Sequence, residues 1–239
     1  MIKQDGFILI WMEDLNIQNK IVGNEHFIIE NLNLRINSGE YVCISGLYGT
    51  DKISFINTIS CLNRPDHGKY LYNYNDTATI DQSKLDGLRS EIGFLFKNLN
   101  LMNDLTVYQN IEIPILISSI VEKSKKVEKA ADQLGLSDLL YKKVEKLSEL
   151  EKHKVSLARA LVVSPILIIA DEPADNLKYE EAEIIFNIMK EINNQGTAIL
   201  CFSDKTQVIE KAQRTIMFEK GSVKYDRRPQ SCCVEEGVV

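Results

Sequence analysis

The amino-acid sequence predicts an α/β fold on a mainly parallel sheet, with antiparallel β hairpins in its N- and C-terminal parts and a helical segment inserted between them. Three observations predict it. Segments of strand and helix character alternate almost to the end of the chain. The run "ILIIAD", ending at Asp171, is bare of polar residues until its last position, as a strand buried on both faces of a parallel sheet reads. From about Leu105 to Val163 helical patterning dominates, with short apolar runs between polar faces such as "EKSKKVEKAADQLGL".

Taken in order, "MIKQDGFILIWMEDL" holds an apolar run of about seven residues that suits a first strand. It is too short to span a bilayer, and no basic region or small-residue cleavage site accompanies it. "FIIENLNLRINSGEYVCISG" contains two strand-like runs broken at Asn37, Ser38 and Gly39, a hairpin-like signal. In "KISFINTISCLN" the spacing of Ile56, Ile59 and Leu62 is helical, and "KYLYNY" returns to strand character. Beyond Asp171 come the helix "YEEAEIIFNIMKEINN" and the strand "TAILCFS". "TIMFEKGSVKY" reads as a hairpin turning at Gly221, and "DRRPQSCCVEEGVV" as a mobile tail.

With 239 residues, 44% of them hydrophobic and 26% charged, the chain has enough apolar surface for a core without staples, and one domain is expected. A net charge of -6 gives no long-range attraction to nucleic acid, so a nucleic-acid partner is not expected. Cys43, Cys61 and Cys201 sit in apolar runs, Cys232 and Cys233 are adjacent in the tail, and no spacing suits zinc. They read as reduced cytosolic thiols. No stretch reaches the roughly 18 apolar residues of a membrane helix, so membrane association is expected through a partner.

Two motifs carry chemistry. "SGLYGTDKIS" lies between a strand and a helix, where a phosphate-binding loop belongs. Against GxxxxGK[S/T] only Gly46 and Lys52 match, because Asp51 stands for the second glycine and Ile53 for the hydroxyl residue. A plain strand–turn–helix connection is the competing reading of that loop. Downstream, "ILIIADEP" ends a strand in Asp171 and Glu172, acids suited to holding a magnesium shell and activating a water. A buried strand that merely ends in solvated acids is the alternative there. His67 and His153 read as solvated loop and helix residues without a chemical role.

The order of these elements resembles the ABC transporter ATPase family, closest to the branch serving lipoprotein release, macrolide export and antimicrobial-peptide resistance. Four stretches carry the resemblance across nearly the whole chain: "LNLRINSGEYVCISG", "IGFLFKNLNLMNDLTVYQNIEIPI", "LARALVVSPILIIADEPADNL" and "QRTIMFEKGSV". It implies an ABC-type nucleotide-binding domain over residues 1–228, with a helical subdomain at about 98–163 and a tail at 229–239. It also implies ATP and Mg2+ as ligands, a transmembrane permease as partner, and two subunits enclosing two ATP molecules head to tail. The second subunit can be a copy of this chain or a relative. The expected location is the cytoplasmic face of the cell membrane.

Carried over position by position, the resemblance makes Gly46, Tyr48, Gly49 and Thr50 part of the phosphate loop, with Lys52 its amine and Ser54 the family's second hydroxyl. Asp51 then places a carboxylate among phosphate oxygens, a repulsion of about 4 kcal/mol per charge pair at ~4 Å and an effective dielectric near 20. Ile53 removes a magnesium ligand. Asp171 is left as the metal residue and Glu172 as the catalytic base. The γ-phosphate glutamine becomes Lys97 and the histidine switch becomes Ser203. In the signature sequence, Leu147, Ser148, Glu149, Leu150 and Glu151 replace a glycine-rich loop, so only Ser148 keeps its role. No aromatic stands near Asn19 to Ile21 to stack on adenine, and Lys178 replaces an aspartate at the subunit contact.

The leading expectation is an ATP-binding subunit docked on a permease through residues around Lys97 to Ile120, with ATP binding and hydrolysis weak or absent. Two alternatives stay open. One is an active ATPase that relies on Lys52, Asp171 and Glu172; the other is a non-catalytic pseudo-ATPase that uses only its surfaces.

Overall fold

In the computed structural model, which describes residues 7–19, 26–116 and 122–228, the strands divide between two sheets. The first pairs β1 (Ile8–Asn19) with β2 (His26–Asn37), and β1 also with β4 (His67–Tyr72), which carries the short β5 (Asn75–Asp76) at its edge. All its pairings are antiparallel. The second sheet runs in the order β10 (Ser222–Arg227), β9 (Arg214–Glu219), β3 (Tyr41–Ser45), β8 (Ala198–Phe202), β7 (Leu167–Asp171), β6 (Ile92–Leu95). Its pairings from β9 to β6 are parallel, and β9 with β10 forms the C-terminal hairpin.

One expectation needs correction. The turn at Asn37 to Gly39 does not close a hairpin between its flanking strands: β2 pairs with β1, while β3 joins the other sheet between β9 and β8. Strand propensity on both sides of a turn predicts two strands, but which edges they meet is a tertiary matter. The N-terminal antiparallel pair is therefore β1 with β2.

The period-2 alternation of the parallel strands feeds two cores. Tyr41, Cys43, Ile168, Ala170, Ile199 and Cys201 face one side, where α3 (Val107–Glu112), α4 (Lys123–Gln133), α5 (Glu149–Leu161) and α6 (Tyr179–Asn194) pack. Val42, Ile44, Leu167, Ile169, Leu200 and Phe202 face the other, with α1 (Gly49–Ile59), α2 (Gln82–Arg89) and the antiparallel sheet. Both faces being covered explains why "ILIIA" needs no polar residue before Asp171. The short α7 (Thr206–Ile209) follows β8.

Helix starts follow the local chemistry. Thr106 and Gln109 form a capping box at α3, Ser148 and Glu151 another at α5, and Asp81 caps α2 through the Lys84 amide. His153, expected in solvent, is only 2% exposed on α5, and its Nδ1 lies 2.8 Å from the Glu149 carbonyl. That carbonyl can only accept, so Nδ1 carries the proton, and the turn-to-turn bond lets the ring enter the core. His67 is exposed, as expected, but it opens strand β4 and is not in a loop. Cys43, Cys61 and Cys201 are buried free thiols. Burial pushes Cys43 and Cys61 up to about 12 and raises Cys201 too, which makes these thiols inert. The C-terminal tail, including Cys232 and Cys233, lies outside the described residues.

Gly46 ends β3 under a close-approach constraint. Its φ is 81°, and a Cβ there would come within 1.9 Å of the Phe218 carbonyl oxygen on β9. Gly49 also has a positive φ, 51°, but a Cβ there meets nothing within 4 Å. Gly46→Ala should therefore cost about 3 kcal/mol or more in urea unfolding, as backbone displacement adds to strain, and Gly49→Ala about 1 kcal/mol from strain alone. Equal losses at the two positions would contradict this account.

Candidate functional site

The parallel strands all end at one edge of the sheet, and the loops leaving that edge bring most candidate residues together. β3 leads through Gly46 into α1 with Lys52, β6 leads to Lys97, β7 ends at Asp171 and Glu172, and β8 leads to Ser203. Ser148 is the exception. It caps α5, where its Oγ accepts from the Glu151 amide and its own amide donates to Glu151 Oε2, both within that first turn.

The connection from β3 is short. Gly49, Thr50 and Asp51 already belong to the first turn of α1, so the loop proper is only residues 46–48. The amides of Asp51 and Lys52 both point at the Tyr48 carbonyl, at 3.1 and 3.3 Å. An anion cradle needs such amides turned toward the ligand. The Gly46 amide donates to Asp204 Oδ1 at 2.8 Å. The charge of Asp204, helped by burial and a hydrogen bond between the two side chains, raises the Tyr48 hydroxyl pKa. Thr50 Oγ1 lies 3.4 Å from Asp51 Oδ1. Ile53 points outward, 55% exposed, and Ser54 lines a 520 Å³ groove beside Gln18, Thr58 and Arg64.

Charges at this edge pair with one another. Lys52 Nζ lies 2.7 Å from Asp171 Oδ1, both side chains mostly shielded, and that oxygen takes no aligned hydrogen bond. Glu172 has a left-handed φ of 47°, its amide donates to the Phe202 carbonyl at 3.0 Å, and its Oε2 accepts from Ser203 Oγ at 2.7 Å. Ser203 Oγ in turn accepts from the Lys205 amide at 3.2 Å. Lys205 Nζ then donates to Asp175 Oδ1 at 2.8 Å. Asp175 is held below its usual pKa, first by that hydrogen bond and, against opposing burial, by the charges of Lys205 and Lys97.

The sequence reading did not single out Asp204, Asp175 or Lys205. A signal was present, since all three follow the ends of predicted buried strands, in "FSDK" and "DEPAD". The adenine-contact position lies beyond the described side chains, because Asn19 closes β1 and residues 20–25 are not described.

The donor set does not fit a magnesium ion. Ile53 carries no oxygen, Lys97 offers a cation, and Asp171 Oδ1 already faces an ammonium group. Among the described residues no three His, Cys, Asp or Glu side chains converge on a metal position. Fit to nucleotide phosphates is partial: Lys52 and the N-terminus of α1 are on the right side of the sheet, and Asp51 opposes them.

Comparison with known proteins agrees with this architecture. A family model described as ABC transporter matches residues 29–175. The uncharacterized ABC transporter ATP-binding protein YvrO of Bacillus subtilis is 31% identical over 92% of this chain and 97% of its own length. The macrolide export ATP-binding/permease protein MacB of Bartonella henselae is 32% identical over 87% of this chain, which spans only 32% of that protein's length. Among solved structures, the dimeric ATP-binding cassette MJ0796 bound to ADP and Pi superposes with a TM-score of 0.81 at 26% identity, over 93% of this chain and 99% of that one.

The Asp175–Lys205 pair gives a pH prediction. A carboxylate with a depressed folded pKa contributes stability above its unfolded value of about 3.9, and that contribution fades as pH falls through the folded pKa. Lys205→Met should raise the Asp175 pKa, followed by carboxyl carbon NMR, and weaken the pH dependence of stability below about pH 4. An unmoved Asp175 pKa would show that the pair does not set it.

Proposed function

The chain belongs to the ABC transporter family of ATP-binding proteins, and from that premise we propose that it works against a transmembrane permease while binding ATP weakly and hydrolysing it slowly or not at all. It would act at the cytoplasmic face of the membrane, paired head to tail with a second nucleotide-binding subunit, a copy of itself or a relative. The observation that carries the reading is the Lys52–Asp171 ion pair beside Ile53. The amine for phosphate and the carboxylate for metal neutralise each other, and a ligand has to part them before it can use either. Asp51 adds repulsion on the phosphate side. Glu172, the residue placed as base, has one oxygen engaged by Ser203, which a water in that position would have to displace.

Permease docking is supported by an exposed apolar face after β6. Met102 and Leu116 are exposed on the segment expected to dock, and Phe96 directly before it; residues 117–120 of that segment lie outside those described. No helix among the described residues is long and apolar enough to cross a membrane, and the relative MacB is an ATP-binding/permease protein by name. A hydrolytic reading keeps one observation in its favour: Lys52, Asp171 and Glu172 still stand together at the strand ends.

Calorimetry with Mg-ATP should give a dissociation constant in the millimolar range, about 4 kcal/mol of binding. Low-micromolar affinity would contradict the proposal. Asp51→Gly with Ile53→Ser should tighten binding, non-additively because the two residues share one helical turn; unchanged affinity in the pair would remove the account of the loop. For docking, Phe96→Asp should release the chain from membranes of cells that hold its permease, with an unchanged melting temperature. Retention of the variant on those membranes would rule out this face.

A further inference from the structure

A groove of 260 Å³ opens on the face where docking is proposed, and its walls and floor differ in kind. Phe94 and Phe96, stacked with ring centroids 5.3 Å apart, form one apolar wall, and Ile113, Pro114 and Val163 line the rest. Arg159 is the one charged side chain among the described residues that line it. The sequence places this arginine in "LARAL", where helical spacing turns it inward from α5.

Arg159 is 8% exposed, and no carboxylate lies within ion-pair distance of it among the described residues. Its Nη1 donates to the Asn100 carbonyl at 2.6 Å, and its Nη2 to the Leu99 carbonyl and, at 3.5 Å, to Ser156 Oγ. Leu99 and Asn100 have φ of 57° and 47°, so the guanidinium holds a left-handed turn in place. Those bonds use Nη1 and Nη2 and leave donors over, since a guanidinium has five N–H groups and Nε makes no hydrogen bond to the described residues. Burial pushes its pKa down with no anion to offset the shift. Buried charges in proteins are ordinarily paired, and carbonyl dipoles supply only part of what a carboxylate does.

We propose that this groove receives a permease segment that sets an Asp or Glu carboxylate against Arg159 between apolar side chains. The inference rests on the docking reading above and adds the chemistry of the partner: apolar residues flanking one acid. Charge complementarity argues for that occupant, because an uncompensated cation at the floor of an apolar groove disfavours a purely apolar segment and repels a basic one.

The test uses the full chain with two probes of equal shape, 4-phenylbutyrate and 4-phenylbutyramide, titrated while the Ile113 methyl signal is followed by NMR. The carboxylate should bind about tenfold tighter than the amide, a ratio for one charge-assisted contact. Val163→Asp, which supplies a carboxylate from the groove itself and leaves the bonds of Arg159 intact, should abolish the preference. Arg159→Lys should keep part of it, which guards against reading a loosened Leu99–Asn100 turn as lost recognition. Equal affinities, binding of neither probe, or a preference that survives Val163→Asp would each overturn the proposal. If the probes show no preference while Phe96→Asp still strips the chain from permease-bearing membranes, the acid is wrong and the docking reading stands. If the preference holds and Phe96→Asp changes nothing, the groove binds carboxylates but is not the docking face.

Discussion

β3 is the strand on which the arrangement depends. Its five residues are buried, and it pairs in parallel on both edges, with β8 on one side and β9 on the other. A strand so enclosed can leave the sheet only past its neighbours' backbones, and at Gly46 the Phe218 carbonyl leaves no room for a Cβ. That exit fixes where α1 begins and hence where Lys52 stands relative to the ends of β7 and β8. Gly46, which the phosphate-loop pattern assigns to ligand binding, is required by this packing as well.

From that fixed frame the chemistry at the strand ends follows from charge. A buried or half-buried ion is costly unless paired, and this edge holds several carboxylates and amines close together. The structure resolves them internally: Lys52 with Asp171, Lys205 with Asp175, Ser203 with Glu172, and the Gly46 amide with Asp204. In the proposed reading, such pairing stabilises the protein without ligand and opposes a phosphate or a metal that must displace it. In that proposal weak ATP handling follows from retained ligand-directed groups, Lys52, Asp171 and Glu172, being satisfied within the protein, with Asp51 and Ile53 adding none of the usual ligand contacts. In the same proposal the fold is kept as a scaffold for docking.

Much of this was legible in the sequence. Apolar runs located β7 and β8, helical spacing located α1 and α6, and the turn at Gly221 located the C-terminal hairpin, because burial imposes those patterns directly. The partner of β2 was not legible, since a turn at Gly39 looks the same whether the strand beyond it folds back or crosses to another sheet. His153 was misplaced because an i to i−4 ring-to-carbonyl bond, rather than polarity alone, decides its burial. Lys97 and Ser203 were found as candidate positions from the resemblance, and Glu172 from the apolar strand that ends in two acids. The Ser203–Glu172 contact and the Lys205–Asp175 pair were not, as they join residues about thirty positions apart that only the parallel sheet brings together. The role of Arg159 was hidden for the same reason: its partners are carbonyls of a distant turn, which no side-chain pattern reports.

The proposal that self-pairing at the strand ends opposes Mg-ATP binding is tested most directly by the melting temperature of the unmodified chain with and without 1 mM Mg-ATP. A ligand present at or below its dissociation constant stabilises by no more than about 0.4 kcal/mol, whereas at 100-fold excess it gives about 2.7 kcal/mol. For a chain of this size the account predicts a rise of no more than about 1–2 °C. A rise of about 5 °C or more, lost when Lys52 is replaced by Ala, would show that the site opens readily to the nucleotide and would contradict it.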